Sequence, residues 1–93
     1  MSEGSQMQRE VQIVNRAGMH ARPAAEFVRL AGSFRAEITV AKDGLEVNGK
    51  SIMGVLMLAA EQGSTLRLVA DGDDAPEALD ALADLVNRGF EES

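Results

Sequence analysis

Ninety-three residues with 45% apolar content suffice for one domain, which should bury roughly 60–65% of the surface its unfolded chain exposes. A net charge of −6 argues against nucleic acid or an anionic membrane as partner, and the absence of cysteine is compatible with a reducing cytoplasm. The longest apolar run, Ile52 to Ala60, is short of the ~20 residues that cross a bilayer, so no direct membrane binding is expected. Met1 to Gln6 is polar and carries no apolar segment, so no secretory signal is expected there. Residues 1–6 are expected to fray, and residues 7–93 to form a single domain.

Val11 and Ile13 alternate with Glu10 and Gln12, predicting a strand that ends near Asn15. A helix follows from about Ala21 to Ala31, with Ala24, Phe27, Val28 and Ala31 on one face and Gly32 as its stop. Ile38 and Val40 mark a second strand. Asp43-Gly44 sits at the centre of a hairpin turn, and Leu45 and Val47 face inward on the return strand. A second helix is predicted from Ser51 to Ala60, with Gly63 just beyond it. Leu66, Leu68 and Ala70 define a fourth strand. The third helix opens at Asp74 as N-cap with Pro76 in its first turn, buries Leu79, Leu82, Leu85 and Val86, and ends at Gly89. The order is β-α-β-β-α-β-α. Each strand has one apolar and one mostly polar face, so the expected class is α+β. It should be an open-faced sandwich, an antiparallel four-stranded sheet with three helices on one side.

The chemistry concentrates in Gly18-Met19-His20-Ala21-Arg22-Pro23-Ala24-Ala25, which holds the only histidine. Pro23 suits a first helical turn, where its missing N–H is no loss. The backbone N–H groups near Ala21 and Arg22 then lack intrahelical partners. A helix start of this kind binds anions, and Arg22 adds a positive charge. The same field disfavours imidazolium, so His20 should be a neutral nucleophile beside an anion hole. A lone histidine in a loop is ordinarily just solvated; the flanking glycine, arginine and proline argue otherwise.

Asn15-Arg16-Ala17-Gly18-Met19-His20-Ala21-Arg22-Pro23-Ala24 closely resembles the active-site signature of the HPr family, the histidine-containing phosphocarriers of the bacterial phosphoenolpyruvate-dependent phosphotransferase system. The resemblance covers most of the chain. It implies a cytoplasmic, monomeric phosphocarrier without cofactor or metal, not a stand-alone enzyme. His20 would receive phosphate from enzyme I and pass it to EIIA domains, with Arg22 stabilising the phosphoryl group. Lys50-Ser51-Ile52-Met53-Gly54 looks like the regulatory serine segment recognised by HPr kinase/phosphorylase, which would phosphorylate Ser51.

Ser51 also reads as an ordinary N-cap, a role that holds in either case. Gly44 to Ser51 matches the pattern G-x-x-x-x-G-K-S, but Leu45 to Asn48 alternate as a strand, so a nucleotide-binding loop is not expected. On the second helix Ile52, Val55, Leu56 and Ala59 make one stripe, with Met53 and Met57 beside it. Met53 is expected at the surface; Met57 fits either a wide core face or an exposed one. By resemblance, Ile52, Met53 and Leu56 would dock partners, with Arg22 and Lys50 at the rim and Arg29 joining if its side of the first helix is open.

Two other functions fit the same residues. One is a mainly regulatory adaptor of the nitrogen-related branch, which the tail Leu85 to Glu92 resembles. The other is an enzyme using His20 as general base; the sequence shows neither a partnered nucleophile nor an acidic orienting residue beside His20.

Overall fold

The computed structural model describes residues 6–92. Strand β1 (Gln6–Gln12) is followed by helix α1 (Ala21–Gly32), strands β2 (Glu37–Lys42) and β3 (Leu45–Asn48), helix α2 (Ile52–Met57), strand β4 (Thr65–Asp71) and helix α3 (Ala75–Asn87). A 3-10 turn, Gly89–Glu91, closes the series. Met1 to Ser5 of the expected fraying tail lie outside the described residues. Gln6, assigned to that tail, instead opens β1 opposite Asp71.

The sheet runs β1-β4-β2-β3, antiparallel throughout, with β1 and β3 at its edges. The α+β open-faced sandwich is therefore the architecture observed. Ile38, Val40, Leu66, Leu68 and Ala70 point into a core that also takes Phe27 from α1, Val55 from α2 and Leu79, Leu82 and Val86 from α3. The opposite face is polar, and Arg67 of β4 reaches Glu46 of β3 across it at 3.2 Å.

The differences from the sequence reading lie mostly at element ends, where tertiary contacts compete with local preference. Strand β1 stops at Gln12, although Ile13 still donates its N–H to Ser64 O at 2.9 Å and stays buried. Gly32 does not stop α1 by a left-handed turn; Ser33 caps it in right-handed geometry, and its hydroxyl bonds Leu30 O at 2.7 Å. Leu45 is exposed, because it sits at the start of the edge strand. Helix α2 ends at Met57 rather than Ala60, since Ala59 takes a positive φ of 51° and turns Ala60 toward the loop before α1. Its buried residues are thus Val55 and, past its end, Leu58, while Ile52 and Ala59 are exposed.

Asp74 is the N-cap of α3 by position only. Its side chain makes no cap hydrogen bond. Its two oxygens accept the backbone N–H groups of Arg35 and Ala36, each at 2.8 Å, so the carboxylate ties the start of α3 to the α1–β2 connection. The bond from Arg35, with a smaller one from Ala36, holds this carboxyl below its ordinary value against the opposing effect of burial. A folded-state value below the unfolded one means stability that is present above pH ~4 and lost as the pH falls through the folded value. Asp74→Ala is therefore expected to melt several degrees below wild type at pH 7. Thermal melts should show that gap closing below about pH 4, as the wild-type carboxylate protonates. A gap unchanged by acid would mean that the charge of Asp74 contributes nothing.

Candidate functional site

The loop from Ile13 to His20 is built to hold one exposed imidazole against the rigid start of α1. Gly18 has a φ of +72°, and a Cβ there would meet Ala60 O at 2.5 Å, so only glycine fits. This close approach lets Met19 donate its N–H to Ala60 O at 2.9 Å and bury its side chain. Asn15, itself buried, donates from Nδ2 to Gly18 O at 2.8 Å. Its Oδ1 has no hydrogen-bond partner among the described residues.

His20 is the N-cap residue of α1 by backbone, and its side chain makes no capping bond. The helix's first bond runs from Ala24 N–H to His20 O at 2.9 Å, which leaves the N–H groups of Ala21 and Arg22 ahead of the ladder. Pro23 is buried in that first turn. The imidazole is 43% exposed and the Arg22 side chain 72% exposed, so both are reachable from solvent.

One carboxylate, for which no local sequence pattern is a signal, sits between them. Glu92 Oε1 and Oε2 lie 3.1 and 3.0 Å from His20 Nε2, Arg22 donates to Oε2 at 3.2 Å, and Asn15 Nδ2 donates to Oε1 at 3.0 Å. The hydrogen bond with His20 does most to hold the Glu92 carboxyl below its usual range; burial opposes it, and Asn15 and the neighbouring charges add to the lowering. The expectation that no acidic residue orients His20 is thus corrected. The chain reverses after α3 through three consecutive positive φ angles at Gly89, Phe90 and Glu91, and Phe90 is buried. Gly89 packs beside Val14 and Asn15, which delivers Glu92 to the imidazole. Sequence alone hides this, because Glu92 lies 72 positions from His20.

Ser51 caps α2 as expected, its Oγ accepting from Gly54 N–H at 3.1 Å. Met53 and Met57 are 66% and 65% exposed, Ile52 is exposed and Leu56 half-buried, so the apolar surface of α2 is real and includes Met57. Lys50 is less available than expected: its ammonium donates to Phe34 O at 2.7 Å and is half-buried. Arg29 lines a groove between α1 and α3 with Glu26, Leu85 and Arg88. Among the described residues, no cluster of His, Asp or Glu is arranged to hold a metal, and no helix is long and apolar enough to cross a membrane.

Comparison with known proteins agrees with this geometry. Residues 7–88 match the family model described as the PTS HPr component phosphorylation site. The phosphocarrier protein HPr of Cupriavidus necator is 46% identical over 86 residues, covering 92% of this chain and 97% of that one. The crystal structure of HPr-C-His from Thermoanaerobacter tengcongensis superposes with a TM-score of 0.90 at 46% identity, covering 94% and 98% of the two chains. The HPr dimer from the same organism gives a TM-score of 0.74 at 49% identity, covering 86% and 92%.

Proposed function

This chain belongs to the HPr family and is a phosphocarrier of the phosphotransferase system, not a catalyst, and on that footing we propose that His20 is the residue that carries the phosphoryl group. It takes the group from phospho-enzyme I and gives it to EIIA domains, in the cytoplasm and as a monomer. The observation that carries this reading is the exposed imidazole of His20 at the start of α1, with Arg22 beside it and unpaired backbone N–H groups next in the chain. The helix end and the guanidinium suit the charge that a phosphoryl group brings. Incubation with phosphoenolpyruvate and enzyme I should load one acid-labile phosphate, and adding an EIIA domain should discharge it. A protein that takes up none is not working as this carrier. A single sedimenting species of monomer mass would support the monomeric state.

Arg22 is assigned the phosphoryl oxygens. Its guanidinium is mostly in solvent and makes one bond to Glu92, so it can turn to an incoming phosphate at small cost. Arg22→Ala should slow loading of His20 about tenfold, ~1.4 kcal/mol in the barrier, and leave the melting temperature within a few degrees. Normal transfer with a large loss of stability would make Arg22 a structural residue.

Ser51 is assigned a regulatory phosphate from HPr kinase/phosphorylase, and Ile52, Met53 and Leu56 the docking of partners. Exposed methionines on α2 suit a surface that must meet several proteins. Lys50, a half-buried residue, is kept at the rim of this surface although its ammonium is engaged by Phe34 O. The tail resemblance favours a second reading, a regulatory adaptor of the nitrogen-related branch. Discharge to a nitrogen-branch EIIA but not to sugar-branch EIIA domains would select it.

A further inference from the structure

With no cysteine, tryptophan or tyrosine in the chain, its five methionines are the side chains that a mild oxidant reaches first. The fold grades them by access. Met19, directly before His20, is 4% exposed and belongs to the core. Met7, on the edge strand β1, is 42% exposed. Met53 and Met57 are 66% and 65% exposed, and their i, i+4 spacing stacks them on one side of α2. Ile52 is exposed next to them, and α2 carries no charged or polar side chain from Ile52 to Met57. We propose that Met53 and Met57 form a reversible oxidation site: a hydroperoxide converts their thioethers to sulfoxides, and α2 then loses its hold on enzyme I. This regulation rests on the docking role assigned to α2.

The step is a two-electron oxygen transfer. A sulfur lone pair attacks one peroxide oxygen, and the S–O bond forms as the O–O bond breaks. The proton on the transferred oxygen passes to the departing hydroxide, which leaves as water. Sulfur is oxidised and the peroxide reduced. In the reverse direction a dithiol takes the oxygen away as water and becomes a disulfide, leaving the thioether. The sulfoxide oxygen is a polar acceptor set into an apolar patch. Docking must strip its water, and a surface fitted to a thioether offers it no donor in return. Met19 is shielded, so the loop that holds His20 keeps its packing while the docking surface changes. The loss therefore falls on the encounter with enzyme I rather than on transfer to the imidazole.

Hydrogen peroxide is the probe. Wild type and Met53→Leu/Met57→Leu are treated, quenched and mapped by peptide mass, then loaded with phosphoenolpyruvate and enzyme I. The readout for each protein is its KM as substrate of enzyme I after treatment, relative to the same protein untreated. In wild type, sulfoxide should form at Met53 and Met57 before Met19, and KM should rise about tenfold with kcat changed less than about twofold. In Met53→Leu/Met57→Leu, whatever its untreated rate, treatment should change KM less than about twofold. Methionine sulfoxide reductases for both epimers, with a dithiol as reductant, should return treated wild type to its starting KM. Thermal melts of treated and untreated protein should coincide. Equal loss in Met53→Leu/Met57→Leu would move the effect to another methionine and overturn the site, as would a loss matched by a fall in melting temperature. An unchanged KM with both sulfoxides present, beside slow loading of untreated Met53→Glu, would overturn the regulation and spare the docking role. Untreated Met53→Glu with the wild-type KM would fell the docking role, and this regulation with it. Untreated wild type that takes up no phosphate would fell the carrier reading and everything resting on it.

Discussion

His20→Ala is expected to take up no phosphate from phosphoenolpyruvate and enzyme I while wild type takes up one. The effect is all-or-none because there is no other histidine to accept the group. Stability should barely change. The imidazole is nearly half in solvent and caps nothing, and removal of such a side chain ordinarily costs within ~0.5 kcal/mol. Glu92 loses one partner but keeps Asn15 and Arg22, so its carboxylate is not left unpaired. The measurement is intact mass before and after incubation and again after brief acid treatment, with a circular dichroism melt of each protein. Acid-labile label on the variant equal to wild type would end the assignment of His20. A variant that neither loads nor folds would show instead that the imidazole is structural.

Phosphate on Ser51 should slow loading of His20 by 10- to 100-fold, a loss of ~1.4–2.8 kcal/mol in docking. Ser51 sits at the start of α2, and a phosphate there carries about −1.5 to −2 charges. It acts strongly on Ile52 and Met53, the next residues in the chain, which docking must strip of water. Raised salt should recover only part of the rate. Ser51→Asp has less charge and should show a weaker slowing with α2 intact, because aspartate also caps well. Ser51→Ala loses the bond to Gly54 N–H, roughly 1 kcal/mol of capping, yet should transfer normally. Steady-state loading rates for all four forms at low and high salt, with melts, make the comparison. If Ser51→Asp loads as fast as wild type at low salt, Ser51 is a cap and nothing more.

The order of elements, the buried stripe of α3, the hairpin at Asp43-Gly44 and the cap at Ser51 were determined by the sequence alone, because each depends on residues within one or two turns of one another. Both Asp43 and Gly44 take the positive φ that such a turn requires. The placement of His20 and Arg22 at a helix start was legible for the same reason: a proline and a glycine lie within a few residues of them. Tertiary structure decided what local pattern cannot encode. Strand order depends on which edges meet. Helix α2 ends early because Ala60 is needed by Met19. Asp74 has the sequence of a cap, but Arg35 and Ala36, brought near by the sheet, are the donors it bonds. Lys50 looks like a free rim charge until the fold sets Phe34 O beside it. Glu92 is the furthest case. Nothing in Gly89-Phe90-Glu91-Glu92 shows a left-handed reversal at three residues, two of them not glycine. Burial of Phe90 holds that reversal, and it carries a carboxylate from the far end of the fold onto the one histidine.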